Sequence, residues 1–172
     1  SGATAFDAWN NQGTSALVSA SSADFKQAWL WSMDAATGRM QLLAHERSDA
    51  WVAGPCPFFS SNSCVGWMPD GQRAWYVSEN SGFAQLYVVG SDGSGNRRLT
   101  DGNFEVQNVA ISPQQDRFYL TTNEGSPHEV HFYHMPLTGG SRTRVTTMAG
   151  RQDVTPSPDG RALAFVHSTS NQ

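Results

Sequence analysis

The sequence predicts an all-β protein, and three observations carry that prediction. The 172 residues include 16 glycines, 8 prolines and 11% aromatic residues, which is typical of short strands joined by tight turns. No stretch has the apolar period of an amphipathic helix. A turn followed by a strand also returns at a fixed interval, because Pro69, Pro113 and Pro158 lie 44 and 45 residues apart.

Further landmarks keep nearly the same interval. Tyr87 and Tyr133 are 46 residues apart, and so are Thr100 and Thr146. A period of this length with four strand-like runs is typical of a β-propeller blade, whose sheet buries both faces only by stacking on its neighbours. We therefore predict a partial β-propeller of about three and a half four-stranded antiparallel blades.

The repeat places each element in order along a single propeller segment. The strands of blade one are expected in AFDAW, TSALVSAS, AWLWSM and RMQLLAH, those of blade two in VGWMP, AWYVS, AQLYVV and NRRLT, and those of blade three in VQNVAISP, RFYLTT, EVHFYHM and RTRVTT. The expected bounds are blade one 1–50, an insertion 50–64, blade two 65–102, blade three 103–148 and a half blade 149–172.

The half blade consists of QDVTPSP and ALAFVHS. The second run is apolar on both faces, which predicts a strand buried between two layers. The strand that would pair with it is missing. We therefore expect the 172 residues to be a segment of a longer propeller, and we expect its open edges to allow self-association.

Charge and hydropathy exclude two classes of partner. A net charge of −4 and a pI of about 5.6, with scattered lysines and arginines, predict no nucleic-acid binding. No apolar run approaches the roughly 20 residues of a membrane span. The opening SGATAFDAW lacks signal-peptide features and a first Met, so we expect an excised or processed piece.

Both cysteines fall in the insertion DAWVAGPCPFFSSNSC, which lengthens the first repeat. Trp31 is the expected equivalent of Tyr87 and precedes it by 56 residues. We predict that Cys56 and Cys64 form a disulfide that closes a small loop; the alternative is two ordinary thiols. A disulfide would indicate an oxidising compartment, either periplasmic or extracellular.

Two patterns resemble metal sites, and neither predicts one. His128, His131 and His134 form H-x-x-H-x-x-H, but side chains alternate along a strand, so His131 faces away from the other two. The stretch SDGSGNRRLTD lacks the glycine and the final glutamate of a calcium loop. We expect neither a metal nor a cofactor.

Two long stretches carry a family resemblance. GWMPDGQRAWYVSENSGFAQLYVVGSDGSGNRRLTDGNFEV resembles the propeller of prolyl oligopeptidase-family serine peptidases, and NEGSPHEVHFYHMPLTGGSRTRVT resembles their dipeptidyl peptidase IV branch. The resemblance covers about residues 65–168. It implies a propeller that restricts access to a serine exopeptidase site and docks an α/β-hydrolase domain of the same parent chain.

The chain lacks the Gly-x-Ser-x-Gly elbow of such a hydrolase, so we expect no catalytic residue and no peptidase activity in this fragment. Tol-system propellers share the Ser-Pro-Asp-Gly turn and the Leu-Thr ending. A periplasmic Tol-type scaffold that binds proteins is therefore the alternative. A propeller that is itself a carbohydrate or small-molecule enzyme lacks a visible pair of acids.

Blade topology predicts where a functional surface would lie. Loops between the second and third strands share one rim with the connections between blades, which include the cysteine insertion. We expect this rim to contact the peptide substrate or to dock the hydrolase domain, and its candidate residues are Asp24, Phe58, Phe59, Glu79, Phe83, Glu124, His128 and Glu129. The alternative for each of them is a solvated loop tip.

Overall fold

The computed structural model describes residues 3–59 and 64–169, and these residues form strands and turns without an α-helix. Within that part of the chain, no helix exists that is long and apolar enough to cross a bilayer. The chain divides into two compact units, residues 1–99 and residues 100–172.

The first unit contains two four-stranded antiparallel sheets, each in chain order. Blade one consists of β1 (Ala3–Trp9), β2 (Ser15–Ser21), β3 (Gln27–Asp34) and β4 (Met40–Arg47). Blade two consists of β5 (Val65–Trp67), β6 (Arg73–Ser78), β7 (Gln85–Gly90) and β8 (Arg97–Arg98).

The second unit contains one four-stranded antiparallel sheet and one two-stranded sheet. Blade three consists of β9 (Val106–Ile111), β10 (Arg117–Thr122), β11 (His131–Pro136) and β12 (Thr143–Arg144). The half blade consists of β13 (Arg151–Pro156) and β14 (Leu163–Ser168). The described residues thus hold fourteen strands, and the predicted partial β-propeller is confirmed.

The turn between the first two strands is the same in every sheet. A backbone N–H at its start donates to the carbonyl five residues later, as from Met68 to Arg73 at 2.7 Å and from Ser112 to Arg117 at 2.9 Å. Its fourth residue has a positive φ, for example 66° at Gly71, and Gln115 occupies that position in blade three with a φ of 58°. Glycine adopts this backbone region without steric cost, which explains the repeated Pro-Asp-Gly sequence.

Strand register repeats as faithfully as the turns. Trp31 pairs with Val18, Tyr87 with Tyr76, and Tyr133 with Leu120. In each pair the residue on the second strand lies three positions after the residue whose carbonyl closes the turn. Those residues are Ser15, Arg73 and Arg117. The three aromatic residues therefore occupy one position of the repeat, as the spacing of Tyr87 and Tyr133 predicts.

The core of the first unit lies between its two sheets. It is built from leucines of blade one and aromatic residues of blade two, and its buried members are Leu17, Ala28, Leu30, Leu43, Ala44, Val52, Phe58, Trp67, Ala74, Tyr76 and Val89. Two polar contacts also join the sheets: the Trp67 indole donates to the carbonyl of Ala8 at 3.1 Å, and the Asn10 amide donates to the carbonyl of Gly71 at 3.0 Å.

Two sequence expectations differ from the structure. The last strands of blades two and three are only two residues long, although Leu99 and Val145 each add one more hydrogen bond to the preceding strand. The expectation that ALAFVHS is buried is wrong: Leu163, Phe165 and Val166 are 37%, 50% and 70% exposed. Among the described residues β14 pairs only with β13, so nothing covers its outer edge.

Candidate functional site

A tight hairpin between β2 and β3 supports the candidate rim of the first unit. The Ser22 hydroxyl accepts from the backbone N–H of Gln27 at 3.0 Å and donates to the Asp24 carboxylate at 2.6 Å. The Asp24 carboxylate also accepts from the backbone of Lys26, and these hydrogen bonds lower its pKa. Asp24 is therefore part of the turn and leaves Phe25, with a φ of 55°, half exposed at the tip.

The insertion is fastened to this hairpin by its backbone. Ser48 donates to the carbonyl of Lys26 at 3.0 Å, and Val52 donates to the carbonyl of Phe25 at 2.7 Å. Val52 is buried, whereas Trp51 is 71% exposed. The pairing thus buries one side of the segment and presents an indole ring on the other.

Aromatic and small side chains form an apolar hollow of about 340 Å³ beside the hairpin, lined by Phe25, Trp51, Val52, Ala53, Gly54, Pro57 and Phe59. The rings of Phe25 and Phe59 lie 6.5 Å apart between centroids. Exposed aromatic rings gathered in one hollow are typical of a binding surface, because covering them removes apolar surface from water, which is favourable.

Phe58 does not belong to that surface. Its side chain is fully buried, and its ring meets those of Phe59 and Tyr76 edge to face at 5.9 and 6.0 Å. The prediction that Phe58 lies on an exposed rim is therefore wrong. The residue fixes the insertion in the core between blades one and two.

A disulfide joins Cys56 to Cys64 in the structure, and both residues are buried. The bond closes a loop around Phe58 and Phe59. It also ties the insertion to the start of β5, since Val65 follows Cys64 directly.

An acidic hollow of about 230 Å³ adjoins the apolar one and shares Trp51 and Val52 with it. Glu46 is 5% exposed, and burial, with the Glu79 carboxylate adding to it, raises the pKa of Glu46 to about 7. Glu79 directly follows β6 and lines this hollow. Glu46 was not predicted from the sequence, because a glutamate in a strand is expected to face solvent unless the residues of the neighbouring blade are known.

In the second unit, Glu124 is held by a bidentate ion pair. Its carboxylate accepts from the Arg142 guanidinium through two hydrogen bonds of 2.8 Å, and the same guanidinium lies 4.7 Å from the centre of the Phe104 ring. The Arg142 side chain is largely buried, and that of Glu124 is partly exposed. The pair fastens the loop after β10 to the residue just before β12, so Glu124 is part of the scaffold.

Glu129 is likewise engaged, with a histidine that sequence reasoning did not select. The Nε2 atom of His131 lies 2.8 Å from the Glu129 carboxylate, which holds the pKa of Glu129 below its usual range. His131 is fully buried and also contacts Arg144 and the Thr146 hydroxyl. The available signal in the sequence was a histidine two positions before Tyr133, together with Thr146 two residues after the fourth strand.

The remaining candidates stand apart from these clusters. Phe83 is 36% exposed on the hairpin between β6 and β7, and His128 is exposed in the turn before β11. The structure brings Phe25, Phe59 and Trp51 together in the first unit. Across residues 3–59 and 64–169, no three His, Cys, Asp or Glu side chains are grouped to hold a metal ion.

Two solved structures have the same fold. Dipeptidyl peptidase 4 of Porphyromonas gingivalis is similar over 91% of this chain and 21% of its own length, with 19% identity and a TM-score of 0.72. TolB of Acinetobacter baumannii is similar over 99% of this chain and 39% of its own length, with 19% identity and a TM-score of 0.65. The chain thus spans less than half of either protein.

A family model gives the more specific assignment. The model that describes the N-terminal region of dipeptidyl peptidase IV matches residues 6–172, which is nearly the whole chain and includes every strand from β2 to β14. The chain belongs to the dipeptidyl peptidase IV N-terminal region family.

Proposed function

We propose that the chain is a noncatalytic propeller segment of a dipeptidyl peptidase IV-like serine exopeptidase. In that role it restricts access of peptides to the active site and docks the α/β-hydrolase domain of the same parent chain. The family match over residues 6–172 is the observation that carries the proposal. Proteolysis itself would be performed by the hydrolase domain.

The hollows of the first unit suit the peptide-facing part of this role. Phe25, Trp51 and Phe59 offer an apolar surface, and Glu79 places a carboxylate beside it. A peptide supplies apolar side chains and a cationic amino terminus, which such a pair of surfaces complements. The acids of the second unit have internal partners, so we assign Glu124 and Glu129 to positioning the rim loops.

Two experiments test the proposal. The isolated chain should neither hydrolyse glycyl-prolyl-p-nitroanilide nor react with a serine-directed fluorophosphonate, and covalent labelling would refute the noncatalytic role. In the parent peptidase, Trp51→Ala should raise KM for a dipeptidyl substrate about tenfold, as expected for about 1.4 kcal/mol of lost contact. Leu42→Ala removes an exposed side chain from the middle of β4 and is the control.

The second candidate is a Tol-type propeller that binds other proteins, and the similarity to TolB over 99% of the chain favours it. The two functions differ in what accompanies the propeller. The full protein sequence encoded by the parent gene decides between them. A Gly-x-Ser-x-Gly elbow after the propeller supports the peptidase, and propeller repeats alone support the scaffold.

We also propose a periplasmic or extracellular location, because the Cys56–Cys64 disulfide requires an oxidising compartment. Fractionation of cells that express the parent protein tests this. Recovery of the parent protein from the cytoplasmic fraction alone would contradict it.

A further inference from the structure

Glu46 is buried where blade one meets blade two. It is the next-to-last residue of β4, and its carboxyl accepts a hydrogen bond from the Ser78 side chain and one from the backbone N–H of Glu79. Its Oε1 atom is buried and has no partner among the described residues. A carboxylate in this position would leave a charged oxygen without solvation, whereas a neutral carboxyl loses far less on burial.

The charged groups around Glu46 do not offset that cost. Glu79, from blade two, adds a like charge. Tyr76 on β6 also lies near Glu46: burial raises the pKa of its hydroxyl to about 12, and the charges of Tyr87 and Glu46 add to that shift. Arg47, next on the same strand, lines the hollow with its side chain exposed. Burial and Glu79 together therefore favour the protonated carboxyl.

Glu79 connects this carboxyl to residues 48–54, which we call the arm. A Cβ atom on Gly54 would lie 2.8 Å from the Glu79 carboxyl carbon and 3.1 Å from both of its oxygens, so the carboxylate packs directly on the Gly54 backbone. Val52 in the middle of the arm lines the same hollow as Glu46. The arm thus lines the hollow that Glu46 also lines, and Glu79 packs against the arm at Gly54.

We propose that the Glu46 proton is a latch for the arm. While the proton is present, Glu79 stays over Gly54, and the backbone hydrogen bonds of Ser48 and Val52 keep Trp51 in place. When the proton leaves, two carboxylates oppose each other at the blade junction, and opening of the arm admits water to both. The apolar hollow, which the arm helps to form, is thereby lost at the higher pH.

In the closed state the pKa of Glu46 is about 7, so the carboxyl keeps its proton up to about that pH, whereas the ordinary pKa of a glutamate is 4.5. Opening therefore becomes more favourable as the pH rises between these values. If an open arm returns Glu46 to its ordinary value, the opening equilibrium grows about twentyfold between about pH 5.5 and about pH 7.5.

Hydrogen exchange read by mass spectrometry tests the latch in the full chain. After correction for the intrinsic rate, peptides that cover the arm should lose about twentyfold protection between about pH 5.5 and about pH 7.5. Glu46→Gln should keep the arm protected at both values, and Glu79→Gln should shrink the change. Asp49→Asn removes an exposed carboxylate from the arm itself and should behave as the wild type.

The outcomes separate a local latch from general destabilisation. Peptides from β6 and β7 are the internal reference, and an equal loss of protection there would overturn the proposal. So would a wild-type arm that is equally protected at both values, or a Glu46→Gln variant with the wild-type dependence. If Glu46→Gln does not fold, Glu79→Gln decides, because an unchanged dependence in that variant also refutes the latch.

Discussion

Truncation of Phe58 tests whether the insertion is part of the core or a surface loop. The ring is fully buried and makes edge-to-face contacts with Phe59 and Tyr76. Phe→Ala in a core costs about 3–5 kcal/mol, and each aromatic pair adds about 0.5–1.5 kcal/mol beyond area burial. We therefore expect Phe58→Ala to lower the free energy of unfolding of the first unit by about 4 kcal/mol.

Tryptophan fluorescence in urea measures this effect selectively, because all six tryptophans lie within residues 1–99. With an m-value of about 2 kcal/mol/M, the midpoint should fall by about 2 M. Phe83→Ala, at a ring that is 36% exposed, is the matched control and should cost less than about 1 kcal/mol. Equal midpoints for the two variants would show that the insertion does not pack between the blades as described.

Three further predictions concern other parts of the chain. Gln115→Gly should raise the free energy of unfolding by a few tenths to about 1 kcal/mol, because glycine relieves the strain of a left-handed backbone. Gly13→Ala should lower the free energy of unfolding, because its φ is also positive and an added Cβ meets no neighbour that could explain the loss otherwise; calorimetry measures both changes. Intact mass before and after reduction and alkylation should reveal the Cys56–Cys64 bond in protein made under oxidising conditions, and two free thiols would contradict it. Light scattering should detect self-association that Phe165→Lys abolishes, and a monomer at all concentrations would show that the open edge of β14 is tolerated.

The repeat could be predicted from the sequence because its turns depend on particular residue types. Asp70 accepts from the backbone N–H groups of Gln72 and Arg73, and Asp159 accepts from that of Arg161, so these aspartates shape the turns that the sequence shows as Pro-Asp-Gly. Turns of one geometry set one register, which is why the spacing of aromatic residues predicted their equivalence. Local chemistry therefore specified the blades.

The candidate site was harder to predict from the sequence, because buried residues in a loop do not recur at a regular spacing as they do in a strand. Phe58 and Phe59 are adjacent and chemically identical, and only the path of the insertion places one in the core and the other in the apolar hollow. Glu46 is a strand residue that is buried, because its carboxyl contacts Ser78 of the next blade, 32 residues further along the chain. The acids of the second unit were visible, but their Arg142 and His131 partners became evident only with the strands paired.

The exposed ends of the chain show that position in the repeat, and not side-chain type, determines what is buried. Tyr76, Leu120 and Phe165 each lie three residues after the carbonyl that closes their turn, at Arg73, Arg117 and Ala162. Tyr76 and Leu120 are 2% and 0% exposed, whereas Phe165 is 50% exposed. The sequence at β14 therefore has the apolar character of a covered strand, while its surroundings are those of an edge. Because an apolar side chain of this size gains about 1.5–3 kcal/mol when it is fully buried, Phe165 favours any sheet that can cover it.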